Sequence, residues 1–209
     1  VKISLAASVA ESYFTLISLY EQLDITNETI KAREEGLKRN EAKYTLGAIS
    51  KTTLLVIGEG AHDTAFLNHL KSLYDARESG QKVKIESGDG GSPHDLIKNT
   101  IKKISHLSYD RVVIFLDSDV EIKESDKIEA KRHRITLILS EPVCLEGYLL
   151  KLLNRKVPHT ADQCKSILHK LLSGSPTNPQ SYASIFTKEI IDSSEDKTLI
   201  QLKNILSNK

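Results

Sequence analysis

The chain has 209 residues, of which 39% are hydrophobic and 27% are charged, and its formal net charge is +1. This composition is typical of a globular protein with a buried core, and it excludes a strongly basic protein that coats nucleic acid. The sequence contains no run of about 20 apolar residues, so we expect no membrane span. Two cysteines, Cys144 and Cys164, are too few for a disulfide framework, which favours a cytoplasmic location.

Residues 3 to about 46 have the pattern of one long helix. Apolar residues recur every three or four positions in the first half, the spacing of a buried helical stripe, at Ala6, Val9, Tyr13, Leu16, Tyr20 and Leu23. From Asn27 onward the residues are mainly charged, and Gly47 is expected to end the helix. Since an isolated helix is not stable in water by propensity alone, we expect this segment to associate with a partner, such as a second copy.

The first 50 residues also resemble a periplasmic helix of the TolC-type outer-membrane efflux factors. The resemblance rests on the segments AESYFTL and REE and on the Y-x-x-G-x-x-S pattern of Tyr44, Gly47 and Ser50. In that family a returning helix follows the turn, and this chain has none. The resemblance therefore implies a separate segment, residues 1–50, that is a fragment or fusion related to efflux factors.

From Lys51 onward, short apolar strands alternate with helical segments. The sequence predicts strands at TTLLVIGEG, VKIES, RVVIFLDSD and ITLILS, a helix around Phe66 and Leu70, another from Pro93 to Ser105, and further helices from Leu145. Strands that alternate with helices form parallel sheets with right-handed crossovers. We therefore expect residues 51–209 to be an α/β domain with a mainly parallel four-stranded sheet flanked by helices.

Three acidic residues follow two of the predicted strands. Glu59 comes just after the first strand, Asp117 ends the third, and Asp119 lies two residues further. The carboxyl ends of parallel strands share one edge of the sheet, so these carboxylates are expected to meet there. Clustered carboxylates repel one another unless a cation neutralises them, and hard oxygen ligands suit Mg²⁺ or Mn²⁺. The sequence thus predicts a metal site.

The blocks VIGEG and FLDSD resemble the signature of TOPRIM domains, which occur in topoisomerases, primases and several nucleases. Residues 52–172 are most similar to the RloB-like type associated with phage defence, through Glu59–Gly60, the Gly88–Ser92 loop, Tyr109–Asp119 and SEPVCLE at Ser140–Glu146. The resemblance implies a nuclease acting on DNA or RNA beside an ATPase subunit, with Glu59 as general base and Asp117 and Asp119 as metal ligands. The last block departs from the family, which prefers an aromatic pair and a downstream histidine where this chain has Gly147–Tyr148 and Asn154.

Several further residues are weaker candidates for the site. Glu121 continues the alternation after Asp119, and Glu146 begins a predicted helix beside the end of the fourth strand; either carboxylate could add a ligand. A glycine-rich loop precedes the helix at Pro93, and its backbone amides could bind phosphate; the residues concerned are Gly88, Gly90, Gly91 and Ser92.

Other functions remain open at the level of sequence. The segment DSDV after an apolar strand resembles the nucleophile motif of haloacid-dehalogenase-type phosphatases, although here two strands precede it. Some glycosyltransferases hold a metal with the same Asp-x-Asp spacing. A third alternative is a non-catalytic subunit that binds metal beside a defence ATPase.

Overall fold

The computed structural model describes residues 2–45, 51–75 and 79–208. The chain divides into two compact units, Val1–Ser50 and Lys51–Lys209. The first unit is one long helix and the second is an α/β domain, as the sequence predicts.

Helix α1 spans Lys2–Thr45. The apolar stripe was predicted to be buried, but its members from Val9 to Leu23 are exposed in the structure: Val9 is 62% exposed and Leu16 is 53% exposed. The physical reason is that a single helix has no second element in its own unit against which to pack. Self-association through α1 stays a prediction, and the predicted end at Gly47 lies outside the described residues.

The second unit is built on a four-stranded sheet in which every strand pairing is parallel. The strands are β1 (Thr52–Gly58), β2 (Gln81–Ser87), β3 (Arg111–Asp117) and β4 (Ile135–Ser140), in the order β2-β1-β3-β4. The two central strands carry runs of five buried residues, which is the pattern of strands covered on both faces. The predicted sheet is therefore confirmed.

Helices connect the strands and complete the domain. They are α2 (Ala61–Tyr74), α3 (Pro93–His106), α4 (Glu124–Arg132), α5 (Leu145–Leu152), α6 (Ala161–Leu171), α7 (Lys188–Ser193) and α8 (Lys197–Ser207), with a short 3₁₀ helix at Pro179–Tyr182. Helix α4 was not predicted, because the segment ESDKIEAKR has few apolar residues with which to mark a buried face. None of the helices in the described part of the chain is both long enough and apolar enough to cross a membrane.

Side chains that alternate along the strands form two separate cores, one on each face of the sheet. On one face, Leu54 and Val56 of β1 pack with buried residues of α2, α5, α6 and α8. On the other face, Leu55 and Ile57 pack with residues of α3 and with Ala130 of α4. The domain is therefore a three-layer α/β/α structure.

The strand order places a topological switch point between β1 and β3. The chain passes from β1 to β2 on one side and then crosses back to β3 and β4 on the other, with α2 and α3 on opposite faces. In open parallel sheets, a crevice for ligands forms beyond the carboxyl ends of the strands at such a point. Glu59 and Asp117 lie at these two strand ends.

Gly147 in α5 is a position where the fold depends on a missing side chain. A Cβ atom at this residue would lie 2.6 Å from the backbone oxygen of Pro142, so either α5 or the segment before it would have to move. We expect Gly147→Ala to lower the free energy of unfolding by about 1–3 kcal/mol, the usual cost of overpacking, as measured by denaturant titration. Gly36→Ala is the control, since its added methyl group meets nothing within 4 Å. Equal stability of Gly147→Ala and the unmodified chain would contradict this account.

Candidate metal centre

A pocket of about 260 Å³ opens at the switch point. It is lined by the end of β1, the first turn of α2, the glycine loop after β2, the end of β3 and the start of α5, with Lys165 of α6 also in its wall. Four carboxylates belong to this lining: Glu59, Asp63, Asp117 and Glu146. Glu59 and Asp117 are two of the three carboxylates that the sequence predicted to meet, and Glu146 was one of its weaker candidates.

Glu59 and Asp117 are joined through the backbone. The Glu59 N–H donates to the carbonyl oxygen of Phe115 (3.1 Å), which continues the pairing of β1 with β3 by one residue. The Asp117 N–H then donates to Oε2 of Glu59 (3.0 Å). This exchange fixes the Glu59 carboxylate beside the end of β3.

The Asp117 carboxylate is held by two further donors. Its Oδ1 atom accepts hydrogen bonds from the Ser140 hydroxyl of β4 and from the Leu145 N–H at the start of α5, both 2.8 Å long. The second contact satisfies an N–H of the first helical turn, where an anion is also favoured by the helix dipole. Burial raises the pKa of Asp117 to about 6, and the charge of Glu59 adds to the rise while the Ser140 hydrogen bond opposes it.

Asp63 is a site residue that the sequence analysis missed. It lies in the first turn of α2, is only 6% exposed, and accepts a hydrogen bond from the Gly60 N–H (2.9 Å) through Oδ2. Its Oδ1 atom is buried and has no hydrogen-bond partner among the described residues. Burial raises the pKa of Asp63 to about 7, with further contributions from the charges of Asp117 and Glu59. The signal that could have found it is an acidic residue at the third helical position after Gly60, the position of a capping-box carboxylate.

Asp119 and Glu121 lie apart from this cluster. Strand β3 ends at Asp117, and Ser118–Val120 form a bend, so the extended alternation that would have carried Asp119 to the same side does not continue. Both side chains are exposed, and neither belongs to the lining of the pocket. The structure thus brings Asp63 to Glu59 and Asp117, and leaves Asp119 at the surface.

The glycine loop shapes the pocket wall more than it offers amides to a ligand. The N–H of Gly88 donates to the carbonyl oxygen of Gly58, and that of Gly90 donates to the carbonyl oxygen of Glu59. Ser92 caps α3 and hydrogen-bonds with Asp95, so a carboxylate already lies at the helix N-terminus where a phosphate was predicted. Gly90 belongs to the pocket lining, and Gly91 adopts φ +107°, a conformation that favours glycine.

Glu146 lies at the other end of the pocket in a cluster of its own. It is 2% exposed, and its Oε1 lies 2.8 Å from Nδ1 of His62 and 3.6 Å from Nε2 of His169. Burial alone would raise the pKa of Glu146, but the His62 hydrogen bond and a backbone N–H outweigh it and hold the pKa below its ordinary value. The ligand atoms of the three residues lie within 4.8 Å of one another, and they can hold a metal ion.

A larger pocket, of about 720 Å³, lies elsewhere on the domain. It is lined by residues at the end of α5 and around α7, and its Lys151 is paired with Asp196 at 2.9 Å. Its wall holds this ion pair and the carboxylate of Glu195, whereas four carboxylates line the smaller pocket at the strand ends, which is therefore the stronger candidate for a metal site.

Comparison of the chain with protein-family models, with curated proteins and with solved structures finds no match. The case for a function therefore rests on the geometry of the site and on the motifs of the sequence.

The raised pKa of Asp63 predicts how stability depends on pH when no metal ion is present. The folded protein binds a proton more tightly than the unfolded chain, so this residue favours folding below about pH 4, and that contribution is lost as the pH rises through about 7. Asparagine keeps an acceptor for the Gly60 N–H and removes the charge. We expect Asp63→Asn to be more stable than the unmodified chain by about 1–3 kcal/mol at pH 8, and by much less at pH 4, in denaturant titrations with a chelator.

The matched control is Asp119→Asn, which removes an exposed carboxylate outside the pocket. It should leave the pH profile unchanged. If the free energy of unfolding of Asp63→Asn depended on pH in the same way as that of the unmodified chain, the charged form of Asp63 would not be destabilised by its surroundings.

Proposed function

We propose that residues 51–209 form a metal-dependent nuclease domain that hydrolyses phosphodiester bonds of DNA or RNA with Mg²⁺ or Mn²⁺. The observation that carries the proposal is the meeting of Glu59, Asp63 and Asp117 in one pocket at the switch point of the sheet. The resemblance of VIGEG and FLDSD to the TOPRIM signature supports the same reaction class.

The pocket offers carboxylate oxygens, the ligands that a hard divalent cation prefers, whereas among the described residues it is His62, Glu146 and His169 whose ligand atoms all lie within 4.8 Å of one another. The three residues that carry the proposal are all carboxylates, and their mutual repulsion contributes to the raised pKa values of Asp63 and Asp117. A buried Oδ1 atom of Asp63 without a partner is costly unless something binds it. A cation with oxygen ligands satisfies this atom and offsets the repulsion, and Mg²⁺ typically binds through one or two carboxylates together with waters and substrate phosphate.

When bound, such an ion polarises a phosphoryl oxygen and makes a water molecule more acidic. The protein's own groups account for the remainder of the mechanism. Asp117 is oriented by Ser140 and Leu145 and serves as a rigid ligand. Glu59 is oriented by the Asp117 N–H and is the candidate base that takes a proton from the attacking water.

The charge of the pocket also bears on the substrate. A phosphodiester is anionic, and a site walled by carboxylates repels it unless a cation intervenes. Lys165 supplies a positive charge in the wall of the pocket and is the candidate contact for a backbone phosphate. We therefore expect the substrate phosphate to bind this acidic pocket only together with a metal ion.

The first test is cleavage of plasmid DNA and of single-stranded RNA in the presence of Mg²⁺ or Mn²⁺. We expect cleavage that a chelator stops, and a loss of at least about 100-fold in rate for Asp117→Asn and for Asp63→Asn, because each removes a charge that holds the ion. Glu129→Gln, at an exposed position of α4, is the control and should cleave normally. Metal binding without cleavage of either substrate would instead favour the alternative of a non-catalytic, metal-binding subunit.

The role of Asp119 distinguishes two possible sets of metal ligands. The resemblance to TOPRIM domains implies that Asp119 is a metal ligand, whereas the pocket contains Asp63 and not Asp119. If the pocket defines the ligand set, Asp119→Asn should change the Mg²⁺ dissociation constant less than about threefold in calorimetry, and Asp63→Asn should raise it at least about tenfold. The reverse order would show that the loop after β3 folds over the ion.

A further inference from the structure

We propose that His62, Glu146 and His169 form a second metal centre, selective for a borderline transition ion of the Zn²⁺ class, beside the acidic cluster of Glu59, Asp63 and Asp117. The three residues come from the first turn of α2, the first turn of α5 and the last turn of α6. Two imidazoles and one carboxylate are a ligand set used by zinc sites that keep an open position.

The distances fit such an ion. Oε1 of Glu146 lies 2.8 Å from Nδ1 of His62 and 3.6 Å from Nε2 of His169, and all three ligand atoms lie within 4.8 Å of one another. Ligands at about 2.0–2.2 Å in a tetrahedron lie about 3.3 Å apart, which is within the range of the separations seen here. The two imidazole rings are close, with centroids 5.0 Å apart, and nearly perpendicular at 84°.

A simple ion pair between His62 and Glu146 leaves part of this geometry unexplained. Nε2 of His169 is buried and has no hydrogen-bond partner among the described residues, and its 3.6 Å separation from Glu146 is longer than a hydrogen bond. A buried nitrogen without a hydrogen-bond partner has lost its contacts with water and gained none in return, which destabilises the fold. A metal ion shared by the two histidines and the carboxylate satisfies this nitrogen and the charge of the almost fully buried Glu146 together.

The surroundings of the cluster support a role as ligands. His62 and Glu146 line the pocket, so the open position of the ion is reached from the same cleft as the acidic cluster.

The two clusters should take different ions. Mg²⁺ prefers oxygen ligands only, whereas imidazole nitrogen suits Zn²⁺ and its neighbours in the first transition row. The histidine cluster is therefore expected to bind Zn²⁺ or Co²⁺ in the presence of excess Mg²⁺. This inference does not require that the domain cleave nucleic acid.

Co²⁺ is the probe for the test, because it occupies zinc-type sites and absorbs visible light. The chain, stripped with a chelator, is titrated with Co²⁺ in millimolar Mg²⁺ while the absorption bands are recorded. We expect one ion to bind with bands typical of tetrahedral coordination, and His62→Gln and His169→Gln each to weaken binding at least about tenfold. Circular dichroism of each variant confirms that it is folded.

Two controls make the outcome specific. The first control is His94→Gln. His94 also lies 2.8 Å from a buried carboxylate, that of Asp126, but among the described residues this pair does not belong to a group of three ligands. The His94→Gln variant should therefore bind Co²⁺ as the unmodified chain does. Asp117→Asn alters the acidic cluster and should keep the Co²⁺ bands even where it abolishes cleavage. The proposal would be overturned if the unmodified chain showed no Co²⁺ bands. It would also be overturned if neither histidine variant changed the bands, or if only Asp117→Asn lost them.

Discussion

The carboxylate of Asp117 connects three parts of the domain that are distant in the chain. Its own strand supplies the backbone N–H that orients Glu59 after β1, and its Oδ1 atom binds both Ser140 of β4 and the first N–H of α5. A charged group used in this way sets the spacing of the strand ends and the position of α5 together. The wall of the pocket at the ends of β3 and β4 is therefore held together by the hydrogen bonds that this side chain accepts.

The cost of that arrangement is electrostatic. Carboxylates that hold the backbone in place are also close to one another, and burial removes the water that would screen them. The repulsion between these carboxylates is located at the carboxyl edge of the sheet, where the strand order opens a crevice. Local instability concentrated at one edge, over a well-packed three-layer core, is the arrangement expected of a site built to bind something.

The sequence predicted the fold well because its signals are local. Apolar runs such as TTLLVIG and RVVIFLD mark strands covered on both faces, and Glu59 and Asp117 follow from where those strands end. Asp119 was predicted from continued alternation, which fails because the strand stops at Asp117 and a bend follows. Asp63 was missed because a helix-capping aspartate looks structural in a sequence. The pairing of His62 with His169 spans more than 100 residues and depends on how α6 packs beside α2, which no local pattern encodes.

His62 and Asp63 are consecutive residues in one helical turn, yet their side chains belong to different clusters. A shift of that turn by a fraction of an ångström therefore alters both sets of ligand distances at once. Under the two proposals made above, thermodynamic linkage would make such an effect reciprocal, so that an ion bound at one cluster would change the affinity at the other by the same factor. The first turn of α2 is thus the piece of backbone that the two proposed ion sites share.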